Sequence, residues 1–192
     1  MKLHLIRHGK TAANEQRLYC GQTDLPLSEN GIALIKTLKE QGVYPENIDL
    51  FFTSGLLRAN QTINGIYGAV DTETIAELAE FKFGQFEMKS HEDLKEYPDY
   101  QAWITDETGR VPCPGGESRQ QFSVRVLAGY GLLMKKSANA ESSLLVSHGG
   151  VIAFIMDYLF PNAFNFYEWQ PEPGRGYTLF HTSDRLHKYK KI

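Results

Sequence analysis

Residues 3–6 form a short apolar run, Leu3-His4-Leu5-Ile6, which gives way at once to Arg7-His8-Gly9. A run this short, apolar almost throughout and closed by a turn residue, predicts a buried strand of a parallel sheet. Pro26-Leu27-Ser28 then offers Ser28 as a helix N-cap. Ile32, Ile35 and Leu38 follow at helical spacing, and Gly42 marks the stop. Residues 48–53 read as a second strand, 56–67 as a helix ending near Gly68, and 72–75 as a third strand. A long helix is expected from 120 to about 136, a strand over 143–147, and a helix over 151–160. Residues 177–182 and 186–192 read as a closing pair of strands around Ser183-Asp184.

Between the third strand and the long helix the periodicity fades. Residues 78–118 carry Phe81, Phe83, Phe86, Tyr97, Tyr100 and Trp103, then the turn Pro112-Cys113-Pro114-Gly115-Gly116. This stretch is expected to be a small cap inserted over one end of the sheet. Strands alternating with helices predict an α/β protein of three α/β/α layers, with a mostly parallel central sheet and an antiparallel edge strand. A single domain over 1–192 is expected, with no internal repeat.

The polar residues that interrupt this pattern are concentrated. Arg7-His8, Ser54 to Arg58, and His148-Gly149-Gly150 each come just after the end of an expected strand. Ligands of open α/β sheets bind at the carboxyl ends of strands. A turn that happens to hold Arg and His is the plainer explanation of any one segment. Three segments delivering Arg, His, Arg and His to one edge are better explained by phosphate.

A phosphomonoester dianion needs donors on its non-bridging oxygens, and arginine can hold two oxygens in one planar fork. Arg7 and Arg58 are the candidates, with Asn14 and His148 adding hydrogen bonds. Gly9, Gly149 and Gly150 would let backbone N–H groups approach, and the helix near Val151 would turn its positive end to the anion. His8 is the candidate nucleophile, since an imidazole nitrogen can attack phosphorus and form a phosphohistidine. Glu80 is the candidate proton donor to the leaving group. It stands among Leu78, Phe81 and Phe83, and apolar neighbours raise a carboxyl pKa. Glu77, Glu87 and Glu92 are nearby carboxylates that compete for that role.

Composition narrows the partners. The chain has 192 residues, 42% of them hydrophobic and 22% charged, which suits a globular protein with a full core. A net charge of −3 argues against nucleic acid as a partner. No apolar run reaches the ~20 residues of a membrane span, and nothing reads as a signal peptide. Cys20 and Cys113 lack CxxC spacing, so neither a zinc site nor a disulfide framework is expected. They read as reduced thiols of a cytoplasmic protein. No metal and no cofactor is called for, and the oligomeric state is left open.

Taken together, Arg7-His8-Gly9 with Thr11 and Asn14, Arg58 in Ser54 to Thr62, Glu80 in Leu78 to Gly84, and Ser147-His148-Gly149-Gly150 resemble the histidine phosphatase superfamily, or phosphoglycerate-mutase-like family. The resemblance implies a metal-independent phosphohistidine mechanism, with Arg7, His8, Arg58 and His148 around the phosphate. Within the family, Tyr19 to Leu27, Phe83 to Met88, Trp103 to Asp106 and Pro114 to Ser118 look most like the α-ribazole-5′-phosphate phosphatases of cobalamin nucleotide-loop assembly. That likeness adds Gln22 and Thr23 to the expected substrate contacts. Lys10 stands where the family often has Glu, and Phe86 where Trp is common.

The expected activity is hydrolysis of a small phosphomonoester such as α-ribazole 5′-phosphate. A broad sugar-phosphate phosphatase or a phosphoglycerate mutase could use the same pocket, and a non-catalytic phospho-ligand binding protein is a third possibility. Aromatics over 81–103 could stack on a flat base, or could simply fill a small core.

Overall fold

The computed structural model describes residues 1–181 and 188–192. In chain order its elements are β1 (Lys2–Arg7), α1 (Ala12–Glu15), α2 (Glu29–Glu40), β2 (Leu50–Thr53), α3 (Leu57–Tyr67) and β3 (Thr72–Thr74). After these come α4 (His91–Leu94), α5 (Pro98–Ile104), α6 (Arg119–Lys136), β4 (Ser142–Ser147), α7 (Gly149–Leu159), β5 (Gly176–Phe180) and β6 (Lys188–Lys191). The strands form one sheet in the order β3-β2-β4-β1-β5-β6. The pairs β3/β2, β2/β4 and β4/β1 are parallel, whereas β5 runs against both β1 and β6. The mostly parallel sheet with an antiparallel edge expected from the sequence is therefore present.

Period-two alternation splits the apolar residues of β1 and β4 between two faces. Ile6, Leu144 and Val146 pack with Ile35 and Leu38 of α2 and Ile63 and Ile66 of α3. Leu3, Leu5 and Leu145 face the other way, onto Val126 and Leu133 of α6 and Ile152 and Ile155 of α7. Helices thus cover both faces, giving three α/β/α layers. The aromatics Phe81, Phe86 and Tyr100 continue the second of these cores.

Several boundaries differ from the sequence expectation. Strand β2 starts at Leu50 rather than 48, because Asp49 turns its carboxylate to the N–H groups of Glu141 and Ser142. Ile32, expected on the buried face of α2, is 57% exposed. Helix α6 starts at Arg119, where Ser118 and Gln121 form a reciprocal capping box. Helix α7 starts at Gly149 rather than Val151, so His148 occupies its N-cap. The expected turn at Ser183-Asp184, with Thr182, Leu186 and His187, lies outside the described residues.

The register places the site. Arg7 pairs with Ser147, and Thr53 with Val146, so the three parallel strands β1, β4 and β2 end almost level. The residues just beyond the three strands (His8, His148 and Ser54) therefore emerge at one edge. The exit of β1 is also pinned from its antiparallel side. The Arg7 N–H donates to the Arg175 carbonyl at 2.9 Å, and Gly174 N–H donates to the Arg7 carbonyl at 3.0 Å.

His4 lies in the centre of the sheet, packed rather than edge-exposed. Its Nδ1 is 2.9 Å from Thr178 Oγ1 and its Nε2 3.2 Å from Ser142 Oγ. Burial, and then the charge of Lys2, lower its pKa from 6.5 to about 4. A base depressed in this way binds fewer protons folded than unfolded, so its contribution to stability is complete above pH 6.5 and lost as pH falls toward 4. The expected loss approaches about 1.4 kcal/mol per pH unit across that window. Urea titrations of the wild type and His4→Gln across it should show a shallower pH slope in the variant. An unchanged slope would assign the acid sensitivity to other groups.

Candidate active site

His8, the first residue beyond β1, is buried. Its Nδ1 is 2.6 Å from the Gly9 carbonyl oxygen. A carbonyl only accepts, so Nδ1 carries the proton and Nε2 keeps its lone pair. Arg58 Nε donates to that nitrogen at 3.2 Å. Burial above all, then the charges of Arg58 and Arg7, hold the His8 pKa well below the usual imidazole value, with the Gly9 carbonyl opposing them. The ring is a neutral base with a fixed tautomer.

His148 caps α7 and is wholly buried, with its ring centroid 5.1 Å from that of His8. Its Nε2 lies 2.8 Å from Ser54 Oγ, the residue just beyond β2. Burial, followed by Arg58, His8, Arg7 and Arg125, lowers its pKa well below normal. A Ser54 hydroxyl donating to Nε2 leaves the proton on Nδ1. Among the described residues that nitrogen and Arg7 Nε are buried with no hydrogen-bond partner. Each such group costs about 1–3 kcal/mol, which an anion accepting from it would offset.

Arg58 comes from the first turn of α3. That helix is capped from outside by Asp24, whose Oδ1 accepts the Leu57 N–H at 2.7 Å. The Arg58 guanidinium is 1% exposed and donates to the carbonyls of Gly21 at 2.6 Å and Thr23 at 3.0 Å as well as to His8. Arg7 is half-buried and donates through Nη1 to the Pro171 carbonyl at 2.8 Å. Burial lowers its pKa, and the nearby carboxylates of Glu80 and Glu172 raise it in opposition. The structure therefore brings Arg7, His8, Arg58, His148 and Glu80 to one edge of the sheet.

Glu80 sits differently from the apolar setting that its neighbours suggest. Leu78 and Phe81 turn into the core, while the carboxylate accepts Phe81 N–H at 2.9 Å and Gly150 N–H at 3.0 Å. The start of α7 thus holds both His148 and Glu80. Arg125 fixes the chain around Glu80 by donating to the carbonyls of Glu77, Ala79 and Glu80, while Glu117 accepts from the Nε–Nη2 edge of the guanidinium.

The three glycines expected to make room for backbone N–H groups differ in what their own N–H groups do. Gly9 N–H donates to Thr62 Oγ1 at 2.9 Å, and Gly150 N–H is taken by Glu80. Gly149 lies close against the Arg7 guanidinium, and a Cβ there would be 3.1 Å from Arg7 Cζ. Its N–H, at the first turn of α7, is the one left for a ligand. Asn14 commits Oδ1 to the Thr11 N–H and hydroxyl, as the third residue of a capping box, so only its amide NH2 can serve a substrate. Gln22 is exposed and donates through Nε2 to the Glu80 carbonyl at 2.8 Å. The Thr23 hydroxyl donates to Glu87 at 2.7 Å, and its carbonyl meets Arg58.

The cap aromatics pack on one another. Tyr19 and Phe83 have centroids 5.0 Å apart, Phe81 and Phe83 5.0 Å, and Phe86 and Tyr100 5.5 Å. Phe81, Phe86 and Tyr100 are buried, so they fill a core and offer no open face to a base. Cys20 is half-buried, Cys113 is buried, and both are free thiols. The sequence does not mark Asp24, Thr62, Glu117 or Arg125 as working residues, and it offers Glu87 only as a rival carboxylate to Glu80. Each acts on a backbone group distant in the chain, and periodicity carries no trace of that.

The chain belongs to the histidine phosphatase superfamily (branch 1), whose family model matches residues 3–183, and it is an enzyme of that phosphatase type. In particular it is 36% identical over 160 residues to the adenosylcobalamin/alpha-ribazole phosphatase of Salmonella typhimurium, covering 81% of this chain and 78% of the relative. It is 30% identical over 173 residues to the 2,3-bisphosphoglycerate-dependent phosphoglycerate mutase of Methylocella silvestris, covering 83% and 82%. The crystal structure of the alpha-ribazole phosphatase from Shigella flexneri superposes with a TM-score of 0.86 at 29% identity, over 99% of this chain and 95% of that one. Among the described residues no helix is long and apolar enough to cross a membrane.

The His8 tautomer can be read directly. Long-range ¹H–¹⁵N NMR at about pH 6 should show a neutral His8 ring protonated on Nδ1, because its pKa lies below that of an exposed imidazole. A doubly protonated ring at that pH would contradict the site as described.

Proposed function

We propose that this chain hydrolyses a small phosphomonoester without a metal ion, through a phosphohistidine on His8, and that its substrate is α-ribazole 5′-phosphate in cobalamin nucleotide-loop assembly. The observation that carries the mechanism is the His8 ring, locked as a neutral base with its Nε2 lone pair beside a buried guanidinium. The similarity to alpha-ribazole phosphatases in sequence and fold supports the substrate.

The donors dictate the chemistry. The Nε2 lone pair leaves the Arg58 Nε–H, which turns to a phosphate oxygen, and forms a bond to phosphorus as the bond to the ester oxygen breaks. Glu80 gives that oxygen its proton. Glu80, now a carboxylate, takes a proton from water as the water oxygen attacks phosphorus. The N–P bond breaks, its electron pair returns to Nε2, and inorganic phosphate leaves. Arg7, Arg58, His148, the Gly149 N–H and the Asn14 amide stabilise charge on the equatorial oxygens, which supplies much of the ~20 kcal/mol such hydrolysis demands. Gln22 contacts the substrate beyond the phosphate. Thr23 acts through its carbonyl on Arg58.

The 78–118 stretch serves as a cap on a single domain covering 1–192. Its aromatics run into the same core as β1, which supports that reading. The unpaired thiols suit a cytoplasmic enzyme.

The test is phosphate release in EDTA from α-ribazole 5′-phosphate, beside sugar phosphates and 3-phosphoglycerate, with His8→Ala as control. A kcat/KM above about 10⁴ M⁻¹s⁻¹ for the nucleotide alone is expected. A slow, even response would remove the substrate assignment, and rearranged 3-phosphoglycerate would favour the mutase reading that the Methylocella silvestris relative suggests. Activity lost in EDTA and restored by a divalent metal would overturn the mechanism. Glu80→Gln should reduce turnover of alkyl phosphates about 10²–10⁴-fold and of 4-nitrophenyl phosphate far less, because nitrophenolate leaves without a proton. Equal losses would remove Glu80 as the acid.

A further inference from the structure

Glu87 is one of several carboxylates near Glu80, and the proposed chemistry makes no use of it. Its setting is unusual. The carboxylate is half-buried and gathers the backbone of an entire turn. Oε1 accepts the N–H of Gly21 at 3.2 Å, of Gln22 at 3.0 Å and of Phe83 at 3.2 Å. Oε2 accepts the N–H of Gly21 at 3.0 Å and of Thr23 at 3.3 Å, and the Thr23 hydroxyl at 2.7 Å. Backbone N–H groups gathered in a turn make a cradle for an anion. Here the anion is a side chain of the protein itself.

The opposite side of the same turn faces Arg58. The Gly21 carbonyl accepts from Nη2 at 2.6 Å and the Thr23 carbonyl from Nη1 at 3.0 Å. One peptide group joins the two charges directly. The unit between Gly21 and Gln22 gives its oxygen to the guanidinium and its N–H to the carboxylate. Each charge polarises that peptide so that its bond to the other strengthens. The turn also has no freedom to slide. A Cβ at Gly21 would lie 1.6 Å from the Phe81 carbonyl oxygen, so the turn lies flush against the chain that bears Glu80.

We infer that Glu87 is a positioning residue for phosphoryl transfer. Through the Gly21–Thr23 turn it fixes the Arg58 guanidinium, whose Nε–H rests on the His8 nitrogen that attacks and must pass to a phosphate oxygen as that nitrogen's lone pair turns to phosphorus. This rests on the proposed role of His8 and Arg58. Without Glu87 the N–H groups of the turn and the Thr23 hydroxyl lose their acceptor, the turn relaxes, and the carbonyls that aim Arg58 shift with it. A misplacement of about 1 Å at a reacting group can cost on the order of 10²-fold in rate.

Glu87→Gln keeps the side-chain volume but replaces one acceptor oxygen with a donor. Two readouts separate positioning from a general loss of stability. The first is exchange of the Arg58 Nε proton with water, followed by NMR, with Arg125 Nε on Glu117 as internal reference. Exchange at Arg58 should quicken by about tenfold or more in Glu87→Gln while Arg125 stays as it was, since only the local opening changes. Equal acceleration at both would show a structural role only and overturn the inference, as would no change at Arg58.

The second readout is a double-mutant cycle on 4-nitrophenyl phosphate with Arg58→Lys. A residue acting through Arg58 loses its effect once Arg58 is changed. A loss of about 10²-fold in kcat from Glu87→Gln alone should shrink to less than about threefold in the Arg58→Lys background. Full additivity overturns the inference. Should Glu87→Gln fail to fold, Thr23→Val removes a single bond of the clasp, and the same comparison of Arg58 and Arg125 exchange decides. Full activity of Arg58→Lys would instead count against the phosphohistidine pocket, while the exchange experiment still decides the role of Glu87.

Discussion

A guanidinium cannot shed its proton to relieve the cost of burial, so a buried arginine must be given acceptors wherever it points. Arg58 is such a residue, and much of this molecule is arranged around it. Its acceptors are one imidazole nitrogen and two carbonyls, none of which carries a formal charge. The charge is therefore dispersed over neutral dipoles and remains available to a phosphate. Burial above all, and this charge after it, keeps both imidazoles neutral, so His8 retains the lone pair that attack on phosphorus requires. A carboxylate paired directly with Arg58 would have cancelled this field. Glu87 is held one peptide unit away, where it steadies the guanidinium without neutralising it.

The sheet supplies the other half of the arrangement. Level ends on β1, β4 and β2 place His8, His148 and Ser54 side by side, and the start of α7 carries His148 and Glu80 together. Conformational cost falls largely on secondary structure that would form anyway. The segments at 79–80 and 21–23 have no such support, and they are stitched down by side chains: Arg125 with Glu117 on one, Glu87 with Arg58 on the other.

The sheet, the strand ends and the residues Arg7, His8 and His148 beyond them are legible in the chain because they rest on local signals. Short apolar runs mark strands, and Arg-His-Gly or Ser-His-Gly-Gly after such a run breaks the pattern visibly. The capping box at Ser118 and Gln121 was equally local and could have been read, which would have moved the start of α6 by one residue. The start of α7 was misplaced because two glycines look like a turn, whereas here they begin a helix that packs against Arg7 and Glu80. The N–H groups of Gly9 and Gly150 are taken by Thr62 and Glu80, and no spacing in the chain announces a bond between residues 9 and 62. The aromatics of 81–103 were visible as a cluster, but only packing shows that several face inward.

The groups proposed to face the phosphate come from the ends of central strands, whereas the chain that would meet the rest of a substrate comes from the turn after Tyr19 and from residues 78–118. The turn reaches Arg58 through the Gly21 and Thr23 carbonyls, backbone groups that survive a change of side chain, and residues 78–118 share a core with β1. Substitutions in the outer segments can therefore alter the preferred ester while the strand ends keep their geometry. Divergence of substrate within a lineage built on this plan is easy, and loss of the reaction itself is hard to survive. A single set of strand ends can in this way be inherited by phosphatases and mutases alike.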